Sequence, residues 1–230
     1  MQEFSTTLRE LRIREAAGEP CLFVNDEGII IFFYVDDIVP LCRPETLPQL
    51  RQLRTSLMQK YEMRDLGELS WFLGIRVIRD RSQRKLWLYQ DSYIKKIVAT
   101  FHLTDHQPPT TPLATEELIP NTERATAQEI YIYQRKVGSL LYATTITRPD
   151  AARAANKLSE FLTNPSQRRH DAVDCAIPYL NGTHTMAIEF SASDTRQVFT
   201  RASGAAFADG PVTRYSTKGY LFKLFDGPID

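Results

Sequence analysis

The sequence is short of cysteine, has no long apolar run and carries no net charge, and each shortage excludes something. Three cysteines in 230 residues, Cys21, Cys42 and Cys175, lie far apart and form no CxxC pair. That argues against a disulfide framework and a thiolate zinc site, and it suits a reducing compartment. No apolar stretch approaches the roughly 20 residues that cross a bilayer. The N-terminal MQEFSTTLREL is polar and charged, unlike a signal peptide. The expectation is a protein with no membrane partner. Lys and Arg number 28, as do Asp and Glu, so bulk charge selects no partner class.

The balance conceals a local pattern. Residues 1–37 hold eight acids and three bases, and residues 43–100 hold twelve bases against six acids. A basic stretch directly after an acidic pair is what a phosphate-backbone binder with a metal site would show, although a solvated surface would look the same.

Periodicity divides the chain. Phe4, Leu8 and Leu11 predict a helix over 4–16. EPCLFV, IIIFFYV and IVPLC predict three short strands, the last weakened by Pro40. Leu47 to Tyr61 predicts a helix with Leu47, Leu50, Leu53, Leu57 and Met58 on one side. WFLGIRVIR and LWLYQ predict a hairpin around DRSQRK, and DSYIKKIVATF a helix capped by Asp91 or Ser92. A Pro- and Thr-rich stretch follows. Residues 126–162 and 167–180 then read as helical. The second of these carries Ala172, Cys175, Ala176, Tyr179 and Leu180 on one face, with Pro178 expected to kink or end it. HTMAIEF, QVFTRASGAAFA and STKGYLFKLF read as strands.

The one stretch that demands chemistry is YVDD, Tyr34 to Asp37, at the end of an apolar strand. Side chains alternate along a strand, so only a tight hairpin with the pair at its tip brings both carboxylates to one place. Two carboxylates that close repel unless a cation lies between them, and Mg²⁺ takes such oxygen ligands. A solvent-exposed Asp-Asp turn is the plain alternative.

FFYVDDIV resembles the catalytic hairpin of reverse transcriptases, and the wider context resembles the Ty1/copia retrotransposon type. YEMRDLGELSWFLGIRV (61–77) and LWLYQDSYIKKIVATF (86–101) are similar to that family's palm end, primer-holding hairpin and thumb entry. YQRKVGSLLYATTITRPDAARAANKLSEFLTNPS (133–166) and RHDAVDCAIPYLNGT (169–183) are similar to its connection segment. ASGAAFADGPVTRYSTKGYLFKLFDGPI resembles the opening of its RNase H domain.

The resemblance implies an α+β fold: a partial polymerase palm, an antiparallel sheet with helices, then a helical thumb and connection and an incomplete RNase H-like β-meander. The implied divisions are 1–104 for palm end and primer grip, 105–125 for a linker, 126–190 for the connection and 191–230 for the truncated RNase H start. It makes Asp36 and Asp37 catalytic, metal-binding carboxylates for two Mg²⁺ ions. Tyr34, Trp71, Gly74, Arg76, Lys95 and Lys96 become nucleic-acid contacts, with the other bases of 76–96 facing the duplex backbone. The implied partners are an RNA template, a DNA primer and the rest of a Pol polyprotein. The implied location is intracellular: cytoplasm, virus-like particle or nucleus.

Two departures from the family pattern set a further expectation. No acid among the 35 residues before the pair sits in an apolar strand followed by an aromatic, as the family's motif does, so the third carboxylate and the nucleotide-gripping fingers are expected to be missing. At the RNase H opening, Gly204 and Ala206 stand where the family carries acids. The chain is therefore expected to be a fragment that is inactive alone, with a non-catalytic remnant that has at most residual nucleic-acid binding as the alternative.

Overall fold

A computed structural model describes residues 2–114, 121–192, 198–208 and 214–229. Among these the fold is mixed α and antiparallel β. It divides into two compact units, residues 1–72 and 73–230.

The first unit begins with α1 (Gln2–Glu10). The predicted helix over 4–16 stops early because Arg12 turns into the left-handed region (φ 62°) and the Ile13 amide donates back to the Leu8 carbonyl at 2.9 Å. Leu8 and Ile13 are both buried, so an apolar contact seals this reversed cap. Strand β1 (Arg14–Ala16) takes up the freed residues and pairs with β2 (Glu19–Val24). β3 (Ile30–Tyr34) and β4 (Asp37–Leu41) complete a sheet in chain order. Phe23, Ile31 and Phe33 pack with Leu8 and Ile13 beneath α2 (Leu47–Lys60), which contributes Leu53 and Leu57 fully and Leu50 in part. Leu47 and Met58, predicted on the same side, are exposed. The short β5 (Trp71–Phe72) closes this unit.

The second unit contains β6 (Ile75–Asp80), β7 (Lys85–Tyr89) and α3 (Asp91–Thr100). The predicted strand WFLGIRVIR is interrupted because Leu73 (φ 50°) and Gly74 (φ 81°) both turn left-handed. The predicted caps Asp91 and Ser92 give way to Gln90, which makes no side-chain cap bond. Helices α4 (Ala127–Ile146), α5 (Ala152–Ser159) and α6 (Gln167–Gly182) pack with α3 around Tyr133, Val137, Leu140, Leu158, Val173 and Ile177. Thr126 and Glu129 form a reciprocal capping box at the start of α4.

Pro178 neither ends nor interrupts α6. The ring is buried and the helix runs on to Gly182 without the bond that the missing N–H would have made. Cys175, expected on the buried face, is exposed, while Ile177 is buried. The described part of 105–125 has no helix or strand but lies on the helices. Ala125 N donates to Asn164 Oδ1 at 2.9 Å, Asn121 Nδ2 to the Pro165 carbonyl at 3.0 Å, and Pro108 packs so tightly on Gly182 that any side chain there would clash.

Strand β8 (Ile188–Ser191) pairs with β7, and β9 (Phe199–Ala206) forms a long ladder with β10 (Thr217–Leu224), which β11 (Gly227–Pro228) extends.

Candidate functional site

IIFFY builds the β3 half of the hairpin. Phe33 stacks on Phe23 (centroids 5.8 Å apart) and meets Phe4 edge-on at 5.5 Å, while Phe32 faces the other way and meets Phe72 at 5.3 Å. Adjacent phenylalanines thus fasten both faces of the strand. Tyr34 pairs with Asp37, which leaves Val35 and Asp36 as the two-residue turn. Val35 lies at φ 54°, a conformation in which a β-branched residue is strained, and its side chain is 74% exposed.

The predicted tip is therefore present. Asp36 stands in the turn, Asp37 opens β4, and both are exposed, with no side-chain hydrogen bond or ion pair among the described residues. Tyr34 is exposed beside them. Chemically the pair offers hard oxygen donors suited to a divalent cation. The set stops at two: among the described residues no group of three or more His, Cys, Asp or Glu gathers that could hold a metal ion.

The remaining candidates are spread along the chain. Trp71 is 43% exposed at the end of the first unit. Gly67 and Gly74 hold φ of 79° and 81° with open space where a side chain would start, so backbone conformation by itself accounts for both glycines. Arg76 donates to both carboxylate oxygens of Asp91 at 3.3 Å and lies over the Tyr89 ring. Burial of Asp91 would raise its carboxyl, but the Arg76 guanidinium and the Ser92 amide together hold it below the usual range. Lys95 and Lys96 are exposed on α3.

In β9, Gly204 and Ala206 sit opposite Gly219 and Thr217, all exposed, in a strand without an acid. Asp209 and Gly210 lie outside the described residues.

Sequence reasoning missed two features. One is the strain at Val35, which leaves no mark in composition. The other is the fully buried Arg148, which donates to both Asp150 oxygens (2.9 and 2.7 Å), to the Thr183 carbonyl (3.2 Å) and to its hydroxyl (2.6 Å). Its place in TRPD, just before a short 3-10 turn over Pro149–Ala151, was the available signal.

The sequence profile described as "Reverse transcriptase (RNA-dependent DNA polymerase)" matches residues 1–115, half of the chain. The chain belongs to the copia-type retrotransposon reverse transcriptases. It is 32% identical over 99% of its length to the retrovirus-related Pol polyprotein from transposon TNT 1-94 of Nicotiana tabacum, and 30% identical over 93% to that from transposon RE1 of Arabidopsis thaliana. This reverse transcriptase chain spans only 18% and 14% of those two proteins. A putative transposon Ty5-1 protein of Saccharomyces cerevisiae is 28% identical, and there the chain covers 74% of the relative. No solved structure gives a significant match. Among the described residues, no helix is long and apolar enough to cross a membrane.

Proposed function

We propose that this chain carries the carboxylate hairpin and primer-holding turn of an RNA-directed DNA polymerase, as a fragment of a Pol polyprotein that is inactive by itself. The observation that carries the reading is the exposed Asp36–Asp37 pair at the tip of an anchored, strained two-residue turn in a chain of this family. The first unit is the end of the palm. The Leu73–Gly74 turn is the primer grip, the helices from α3 onward are thumb and connection, and β9 to β11 are a degenerate RNase H start.

The reaction class is attack of a primer 3′-hydroxyl on a nucleotide α-phosphate with pyrophosphate leaving. The divalent ions of such a site supply charge neutralisation and orientation. The contribution of this chain is to hold two carboxylates fixed at one tip. Phe33 ties the strand into the core, and among the described residues no protein donor competes for the carboxylates. Among the described residues no third carboxylate joins the pair, and a missing ligand costs several kcal/mol of transition-state stabilisation.

Primer extension on an RNA template with a DNA primer, in Mg²⁺ and then Mn²⁺, tests this. The expected result is no product above that of the Asp36→Asn/Asp37→Asn protein. Product that disappears in that variant would show that the chain completes its own site and would overturn the inactive-fragment reading.

A further inference from the structure

Three sheets present six outer strands among the described residues, and five of them are blunted. β1 is three residues long, contains Arg14 and Glu15, and breaks register before Ala16. β4 carries Asp37 and Pro40, and β5 is two residues long. β8 and β11 cover each other. Gly227 lies so close to Phe190 that any side chain there would clash, and the Ser191 amide donates to the Phe225 carbonyl at 2.8 Å. Charge, proline, shortness and covering are the ordinary protections of a free edge.

The sixth, β9, has none of them. It is eight residues long and keeps an unbroken register with β10, from Phe199 opposite Leu224 to Ala206 opposite Thr217. FTRASGAA contains no proline, no acid and a single base, Arg201. All of it except Thr200 is exposed, and among the described residues no strand pairs with its outer side. Phe207, directly after it, is 93% exposed. Positions paired across an antiparallel ladder share a face, so such a strand can pair with a copy of itself only about a residue. Centred on Ser203, the pairing sets Phe199 of one copy opposite Phe207 of the other, at both ends. It sets Arg201 opposite Ala205, so the one charge of the strand never meets itself. The small side chains of Ala202, Ser203 and Gly204 fill the centre and obstruct neither copy.

We propose that β9 is an interface for a second copy of this chain. The two β9 strands join antiparallel about Ser203, and the two three-stranded sheets become one of six strands. Main-chain hydrogen bonds supply the attraction, as they do when any strand adds to a sheet edge. The Phe199–Phe207 and Arg201–Ala205 pairings supply the choice of partner and of register. The contact uses the same patch on both copies, and the far edge of each sheet is already covered by β8, so assembly closes at two. The interface is independent of Asp36 and Asp37.

The test is sedimentation velocity of the full chain from about 1 to 100 μM, where a monomer–dimer equilibrium is expected. Ala205→Lys sets a lysine opposite Arg201 of the second copy, twice per dimer, and should raise the dissociation constant about fivefold or more. Ala205→Glu sets an opposite charge there and should lower it by a similar factor. Lys218 also faces Ala205 within the same copy, so each single variant acts inside its own hairpin as well. The charge-swapped Arg201→Glu/Ala205→Lys protein separates the two effects. It keeps the new lysine beside Lys218, so recovery of the dimer relative to Ala205→Lys can come only across the two copies. Asp36→Asn/Asp37→Asn should dimerise as the unaltered chain does. A chain that stays monomeric at the highest concentration overturns the proposal and leaves the edge to a strand of another protein. A dimer indifferent to the sign of the charge at 205, or not recovered by the swap, overturns the β9 register. Growth beyond two copies overturns the closed pairing.

Discussion

The carboxylate hairpin and the helical bundle treat charge in opposite ways. At the hairpin, the Asp36 and Asp37 side chains stand exposed without a partner among the described residues, on a turn strained at Val35. In the bundle, Arg148 is fully buried, held by Asp150 and Thr183 and stacked 5.5 Å from the Tyr179 ring, whose hydroxyl donates to Asp150 at 2.9 Å. Lys136, nearly buried, is paired with Asp174 at 2.6 Å. A buried charge without partners would be too costly to keep, so these two buried bundle cations are committed to structure. The hairpin carboxylates make no such side-chain contact among the described residues. Stability should therefore respond strongly to substitutions in the bundle and hardly at all to substitutions at the tip.

The sharpest break is Arg148→Leu. It strips donors from Thr183 and Asp150 at once and should cost about 2–4 kcal/mol in denaturant unfolding. Next, Tyr133→Phe removes the donor to the Leu158 carbonyl, a 2.8 Å bond inside the core. It should cost about 1–2 kcal/mol by the same measurement. At the hairpin the sign reverses, because Val35→Gly relieves a positive φ and should stabilise the chain by about 1 kcal/mol.

Titration refines the contrast. Burial, then the Lys136 ammonium, holds the His170 imidazole below its ordinary value despite Asp174, Glu129 and Asp171 nearby. The folded ring stays neutral where the unfolded chain would take up a proton. Stability should therefore fall as pH drops below about 6.5 and on through the folded value. His170→Gln should flatten that part of the profile of unfolding midpoint against pH. Smallest of all, Asp36→Asn/Asp37→Asn should shift stability by less than about 0.5 kcal/mol. A large loss there would mean that the pair is structural after all.

The same contrast separates what was legible in the sequence from what was not. Strand β2 falls on EPCLFV as read, and β3 and α2 fall within one residue of IIIFFYV and of Leu47–Tyr61, because their apolar spacing is local. YVDD was legible for the same reason: a tight turn is written in adjacent residues. What escaped depends on distant partners. The burial of Arg148 requires α6 to deliver Thr183, 35 positions away. The continuation of α6 past the buried Pro178 to Gly182 leaves no mark in the local spacing. The pairing of β7 with β8 leaves no pattern within either segment. At Arg12 and Leu73 the backbone turns left-handed at residues that seldom do so, and propensity offered no warning.

That β7–β8 pairing also has a history in time. Trp87 donates from Nε1 to Glu189 at 2.7 Å across 102 positions of chain. At synthesis rates of about 5–20 residues per second, β7 leaves the ribosome roughly 5–20 s before the strand that will cover its edge. Throughout that interval the nascent chain presents KLWLY with an unpaired row of amides and carbonyls, open to any other extended segment. Until β8 emerges, that edge of β7 is a site of misassociation during translation.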